Sequence, residues 1–161
     1  MKSLAAAAAL ALLGCGGSPA HTRSCMLTLS GAINGSYDCR PASTVFAASI
    51  GATVFSFDLP QTASGPAITV RIGWSGVPEV KHYRSSDTDA NSWVSVSAGA
   101  DQTWSLRAGS SAVRGGSYDL QVAGILGRGE IYNGEGFSLT GTLDATLSAF
   151  ALNDLTLHVT F

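Results

Sequence analysis

Charged and catalytic side chains are scarce in this sequence. Charged residues make up 12% of its 161 residues, with nine Lys and Arg against eleven Asp and Glu, so we expect no clustered basic surface for nucleic acid. The longest cationic cluster, Lys81–Arg84, is predicted to be a solvated loop. The three histidines are scattered, and no nucleophile-elbow, zinc-helix, phosphate-loop or dinucleotide-binding motif is present. These absences predict no nucleic-acid partner, no catalytic residue and no cofactor.

Long apolar runs are also missing, except at the N-terminus. One Lys precedes an apolar run from Leu4 to Leu13, which is followed by Gly14 and Cys15. This is the pattern of a signal peptide, and the run is too short for a stable membrane span. The chain is therefore predicted to leave the cytoplasm.

The end of this segment, Leu12-Leu13-Gly14-Cys15, resembles the lipobox of bacterial lipoproteins. The resemblance implies cleavage before Cys15 and acylation of that cysteine. Several acyl chains hold a protein firmly at a membrane, because each buried CH₂ contributes about 0.8 kcal/mol. The implied partner is a membrane, reached through an N-terminal lipid anchor. An ordinary secretory signal cleaved near Ala20 is the alternative.

The same resemblance divides the chain into three parts. Residues 1–14 are predicted to form a lipoprotein signal peptide, as a helix, residues 15–24 a lipidated tether, and residues 25–161 a single domain. Gly16 stands where an Asp would signal inner-membrane retention, so the resemblance implies the outer membrane. The domain would then face the periplasm or the cell surface.

Apolar and polar residues alternate along much of the predicted domain. The clearest runs are Ile68–Trp74, Phe137–Leu147 and Leu155–Phe161. Period-two alternation is typical of half-buried strands, and Gly-containing turn signals separate the runs. The pattern predicts an all-β fold, an antiparallel β-sandwich of about nine or ten short strands. The last strand, ending in Phe161, leaves a small outer-membrane β-barrel as an alternative.

Two places interrupt the alternation. Gly141 lies inside the strand that starts at Phe137, which predicts a bulge or a bend. The apolar run within Thr146–Asp154 does not alternate clearly, and we expect a short helical turn there.

The domain as a whole resembles small Gly- and Thr-rich β-domain lipoproteins of Gram-negative bacteria. The resemblance depends on stretches such as SGAINGSYDC, GGSYDLQV and GTLDATL. These lipoproteins have no assigned activity, and the resemblance assigns no residue a role. The sequence as a whole predicts a binding or structural role at the cell envelope, with an envelope protein or a glycan left open as the partner. An enzyme with an unrecognised site is the competing class, and it would need Asp87, Asp89, His82 and a basic residue in one cleft.

A candidate ligand site combines Trp93 with Asp87, Asp89 and Asn91. The other two tryptophans share the parity of their apolar neighbours and are expected in the core, whereas Trp93 falls on the face opposite Val94. An exposed aromatic ring beside acids can stack on a sugar while the polar groups bind its hydroxyls. The alternative is that Trp93 packs on the base of the loop.

The same polar residues follow the D-x-D-x-N spacing that begins a calcium loop. Ser92 stands where such a loop has Gly, and Ala98 stands where it has a bidentate Glu. Asp and Asn also favour turns on their own account. No metal site is therefore predicted, with calcium at Asp87, Asp89 and Asn91 as an open alternative.

Cys25 and Cys39 flank the first predicted hairpin. A two-residue turn at Asn34-Gly35 would set apolar positions against polar ones across the strands, which a half-buried hairpin disfavours. Two registers are left. A three-residue loop ending at Gly35 keeps the cysteines apart, and a turn centred on Ala32 sets Cys25 opposite Cys39. Because the lipobox places both thiols outside the cytoplasm, where disulfides persist, a structural disulfide is predicted.

Overall fold

The computed structural model describes residues 25–41, 45–47, 51–59, 65–88, 91–109, 115–126 and 138–161. The predicted signal-peptide helix, the predicted lipidation site Cys15, the predicted tether and Asp89 lie outside these residues. Every regular element within them is a β-strand, so the all-β prediction is confirmed. None of the described residues belongs to a helix long and apolar enough to cross a membrane.

Eleven strands make up the described part of the chain, where nine or ten were expected. They are β1 Cys25–Gly31, β2 Gly35–Pro41, β3 Val45–Ala47, β4 Ala52–Leu59, β5 Ile68–Ser75, β6 His82–Arg84, β7 Trp93–Ala98, β8 Gln102–Arg107, β9 Ser117–Leu126, β10 Ser138–Ala149 and β11 Leu152–Thr160. Strands β3 and β6 have three residues each, which is too short for an alternation to be recognised. The loop predicted at Lys81–Arg84 is wrong, because the backbone of β6 pairs with β9. The charged side chains of Lys81 and Arg84 are solvent-exposed, as predicted.

The strands form two antiparallel sheets joined through β2. Sheet A has the order β6-β9-β10-β11-β1-β2, and sheet B has the order β4-β5-β7-β8 with β3 beside β4. The last residues of β2, Arg40 and Pro41, pair with Asp58 and Phe57 of β4. Strand β2 therefore begins in sheet A and ends against sheet B.

The two sheets pack face to face and enclose one apolar core. The ring centroid of Phe161, at the end of sheet A, lies 5.0 Å from that of Phe55 and 5.3 Å from that of Phe57, both in sheet B. Trp104 of β8 donates from Nε1 to the backbone oxygen of Asn153 in β11 at 2.9 Å. Alternate residues of the long strands are buried between the sheets, as sandwich packing requires. The predicted antiparallel β-sandwich is confirmed.

The first hairpin has the register that sets Cys25 opposite Cys39, and these cysteines form a disulfide with a Cα–Cα distance of 4.9 Å. The turn is the one centred on Ala32. The side chain of Asn34 explains this choice, because its Nδ2 donates to the Gly31 oxygen at 3.1 Å and its Oδ1 accepts from the Gly31 N–H at 3.2 Å. Gly31 has a φ of +98°, which glycine adopts without strain.

Strands β10 and β11 meet in a tight turn at Phe150 and Ala151. The helical turn expected within Thr146–Asp154 is therefore wrong, because both strands stay paired up to that turn. The register between β9 and β10 shifts next to Gly141, so the bulge predicted there is confirmed.

Candidate functional site

A cleft of about 530 Å³ opens beside β6, between the end of β5 and the turn that follows β6. Its base is formed by Trp74 and Tyr83, which are only 1% and 3% exposed. Its rim consists of polar side chains that are exposed or buried only in part. They are Ser75, Lys81, His82, Ser86, Asp87, Thr88 and Asn91. The volume lies within the range of roughly 300–1,000 Å³ that is usual for small-molecule pockets.

The aromatic base lies where the two sheets meet. Trp74 is on β5 in sheet B and Tyr83 is on β6 in sheet A, with their ring centroids 5.0 Å apart and their planes at 31°. The Tyr83 hydroxyl oxygen accepts from the backbone N–H of Glu79 at 3.1 Å, and burial raises the pKa of that hydroxyl. The Nζ of Lys81 lies 4.9 Å from the centroid of the Tyr83 ring. The faces of both rings are therefore covered by other parts of the chain.

The indole Nε1–H of Trp74 is the one buried side-chain nitrogen or oxygen of the described residues that has no hydrogen-bond partner. By contrast, Trp104, which is equally buried, donates to the backbone oxygen of Asn153. A buried donor without a partner costs about 1–3 kcal/mol, and such groups are rare in folded proteins. A residue at the base of the cleft thus carries a donor that no acceptor in the described chain satisfies.

Asp119 of β9 holds β6 at the edge of sheet A. Its Oδ1 lies 2.7 Å from His82 Nδ1, and its Oδ2 accepts from Arg84 Nε at 3.1 Å. Partial burial opposes ionisation of Asp119, but the hydrogen bonds with His82 and Arg84 outweigh it and lower the pKa of the carboxyl. Because β6 has only three residues, this carboxylate is a main side-chain contact of the strand that forms one wall of the cleft.

The turn after β6 places Asp87 at the rim. Its Oδ2 accepts from the Arg84 N–H at 2.7 Å, and its own N–H donates to the Arg84 oxygen at 3.0 Å. Asp favours this bonding of a side chain to the nearby backbone in turns. Lys81 donates to Glu79 Oε2 at 2.6 Å, and the pKa of Lys81 is raised mainly by that bond, with a smaller effect from Asp87. The charged rim residues thus have partners within the chain.

The structure separates the four residues that were predicted to bind a ligand. Asp87 and Asn91 line the cleft. Trp93 does not, because it is half-buried on β7 with its indole packed over Gly73 of the neighbouring strand β5. Asp89 lies outside the described residues. Two members of the predicted site are therefore together, and the aromatic ring that was assigned to it packs elsewhere.

Trp74 and Tyr83 were missed as site residues. The parity of Trp74 placed it in the core, which is correct, but parity does not show that a core residue also borders a cleft. The polar cluster from Lys81 to Asp87 could have pointed to this region, because several of its side chains line the cleft. It was interpreted as solvated because charged residues usually are.

The D-x-D-x-N segment that could begin a calcium loop starts in the turn after β6. Asp87, its first member, uses one carboxylate oxygen to cap the turn after β6. Within the described ranges, no three His, Cys, Asp or Glu side chains are grouped so that they could hold a metal ion.

A second His–Asp pair lies on the solvent side of sheet A and does not line the cleft. His158 Nδ1 is 2.6 Å from Asp144 Oδ1, and His158 Nε2 is 3.3 Å from Thr160 Oγ1. Asp144 is the cross-strand neighbour of Asp119. The two pairs have similar chemistry in different surroundings, so His158 is a matched control for experiments on the cleft.

No protein-family model, no curated protein sequence and no solved structure matches this chain. Any function of the cleft has to be inferred from its own residues.

Proposed function

We propose that this protein is a lipid-anchored domain of the bacterial cell envelope that binds a small polar molecule in the cleft beside β6. The proposal depends on the cleft of about 530 Å³, in which polar side chains surround the buried rings of Trp74 and Tyr83. Concave sites with an apolar base and a few convergent polar groups are typical of small-molecule binding.

The envelope location is supported by the N-terminal pattern and by the cysteines. Residues 4–15 combine a signal-peptide core with a lipobox-like ending, and the Cys25–Cys39 disulfide suits an oxidising compartment. Mass spectrometry of the mature N-terminus tests the anchor. We expect a peptide that begins at an acylated Cys15, whereas an unmodified peptide that begins after Ala20 would show that the protein is secreted without a lipid.

A thermal-shift screen tests binding. The purified domain is heated with single polar compounds at millimolar concentration, chosen from sugars, amino acids, nucleosides and organic acids. A ligand present at 100 times its Kd stabilises the fold by about 2.7 kcal/mol, so at least one compound class should raise the melting temperature measurably. Failure of every class would contradict the proposal.

Two variants localise a positive result. Asn91→Ala removes an exposed amide from the rim of the cleft, and it should reduce the shift without unfolding the domain. Thr156→Ala removes an exposed hydroxyl from the solvent side of sheet A and is the matched control. Equal shifts in both variants would place the bound compound outside the cleft.

An enzyme is the second candidate, and one observation favours it. His82 and Asp87 line the cleft together with the basic Lys81, and His82 Nδ1 lies 2.7 Å from Asp119 Oδ1. A carboxylate in this position orients an imidazole so that its other nitrogen can act as a base. If the domain turns over a bound compound, His82→Gln should abolish turnover and His158→Gln should not, and equal rates in both variants would exclude His82 as the base.

A further inference from the structure

The indole of Trp93 lies flat on the outer face of sheet B, the face turned away from the core. A Cβ added to Gly73, the cross-strand neighbour of Trp93, would meet three adjacent indole atoms, Cε2, Nε1 and Cζ2, with the middle atom Cε2 nearest. A group approaching in the plane of the ring would be nearer to the outer two atoms. One face of the indole therefore rests on β5, and the opposite face points away from the sheet.

The outward face of this indole is open in the described part of the chain. Trp74 and Trp104 are 1% and 0% exposed, whereas Trp93 is only half-buried. Among the described residues, no aromatic ring and no cation stacks on Trp93. An open indole face offers a large, rigid apolar surface, against which the C–H face of a sugar can stack.

The side chains next to this ring are basic or carry hydroxyls. Arg107 is directly opposite Trp93 on β8, and the next row across the sheet on the same face contains Arg71, Ser95 and Ser105. Both arginines are exposed. Side chains in neighbouring rows of a sheet face lie within reach of each other when they are long. We call these five residues the Trp93 surface.

One guanidinium of the Trp93 surface has no partner among the described residues. Arg71 makes no ion pair or hydrogen bond there. Asp58, the one acid among the described strand residues on this face, instead accepts from Thr69 Oγ1 at 2.9 Å. A guanidinium is a rigid fork of donors that matches a carboxylate or a similar oxyanion. The surface is therefore complementary to a ligand that is negatively charged.

We propose that the Trp93 surface binds an acidic saccharide, with a sugar ring stacked on the indole and an acid group of the saccharide paired with Arg71. The hydroxyls of Ser95 and Ser105 donate to and accept from hydroxyls of the sugar. This surface faces away from the core and does not include the cleft, so the proposal goes beyond the proposed function and does not depend on it. The net charge of −2 disfavours nucleic acid, which requires a clustered basic surface.

Matched saccharides test the proposal by isothermal titration calorimetry at low ionic strength. Galacturonate hexamers are compared with the same hexamers methyl-esterified, and sulfated dextran with dextran of the same length. At least one acidic probe should bind at least tenfold more tightly than its uncharged partner. Equal binding within both pairs, or no binding of either acidic probe at millimolar concentration, would overturn the proposal. Neither result would affect the cleft, which is tested separately through Asn91→Ala.

Two charge-removing variants locate the acidic probe. Arg71→Gln alters an exposed side chain, so the domain should fold, and the affinity for the acidic probe should fall about tenfold. Lys81→Gln removes an exposed cation from the rim of the cleft and is the matched control, which should bind as the unaltered protein does. An unchanged affinity in Arg71→Gln, or a loss confined to Lys81→Gln, would overturn the assignment to the Trp93 surface.

Trp93→Ala tests the stacking. It should abolish binding of the acidic probe, and unchanged binding would refute the role of the indole. If Trp93→Ala does not fold, the indole signal of Trp93 in a ¹H–¹⁵N spectrum replaces it, and that signal should move during titration of the unaltered protein. A single-stranded DNA oligomer that binds as tightly as the acidic saccharide, with the same loss in Arg71→Gln, would assign the surface to nucleic acid and overturn the proposal.

Discussion

Removal of the Cys25–Cys39 bridge should weaken the domain by a magnitude that follows from its position. The bridged residues are 14 apart in sequence, so the bridge closes a loop of about 15 residues, which constrains the unfolded chain by about 3 kcal/mol. Cys25 is 2% and Cys39 6% exposed, and replacing both by Ala removes two buried sulfurs at a further cost of roughly 1 kcal/mol each. The double variant should therefore lose about 5 kcal/mol, and reduction of the unaltered protein about 3 kcal/mol.

Urea unfolding followed by tryptophan fluorescence measures both losses. With a slope near 2 kcal/mol/M, typical of small proteins, reduction should lower the midpoint by about 1.5 M. The double variant should show no further change with reductant, which controls for effects of the reductant itself. A urea midpoint that changes by less than about 0.3 M on reduction would refute the claim that the bridge constrains the first hairpin.

Three further changes test other parts of the fold. Hydrogen bonds lower the pKa of Asp119, so the contribution of its carboxylate to stability is complete above the ordinary pKa of about 4 and disappears as the pH falls through the lowered pKa. The difference in unfolding free energy between the unaltered protein and Asp119→Asn should therefore shrink on acidification below pH 4. A difference that stays constant would contradict the role of this carboxylate. Gly73→Ala puts a methyl group into the indole of Trp93 and should cost about 1–3 kcal/mol in urea unfolding, with partial recovery when Trp93→Ala is added; an unchanged midpoint would mean that the indole does not cover Gly73. Ala151 has a φ of +61°, so Ala151→Gly should raise stability by about 0.5 kcal/mol, and a clear loss would be inconsistent with that backbone conformation.

The strand pattern could be predicted because burial alternates with the pleat. The apolar positions of Ile68–Trp74 and Leu155–Phe161 face the core as their parity indicates, and the period of two allows no other arrangement for a half-buried strand. The disulfide was predicted for a different reason. Parity left two registers for the first hairpin, and the location outside the cytoplasm that the lipobox implies favoured the register with Cys25 opposite Cys39. Local pattern and local geometry agree in these cases.

The cleft could be predicted only in part because it depends on contacts between sheets. Trp74 and Tyr83 meet across the sandwich, and nothing in the spacing of the two residues indicates their approach. Asp119 reaches His82 from 37 positions along the chain, which local motifs cannot show. Trp93 was assigned to the site by its parity and its neighbours. Its indole instead packs over Gly73, its cross-strand neighbour on β5, which has no side chain to occupy that position. The parity of one strand does not reveal such a contact.

The indole N–H resonance of Trp74 tests the central claim most directly. The three tryptophans give three indole signals in a ¹H–¹⁵N spectrum, and single Trp→Phe variants assign them. During titration with each compound that raises the melting temperature, we expect the Trp74 signal to move with ligand concentration, because Trp74 lines the cleft. The Trp104 signal should stay in place, because Trp104 is not among the lining residues and its N–H is bonded to Asn153. Shifts confined to Trp93, or a Trp74 signal that does not respond to any of these compounds, would contradict a ligand site at the base of the cleft.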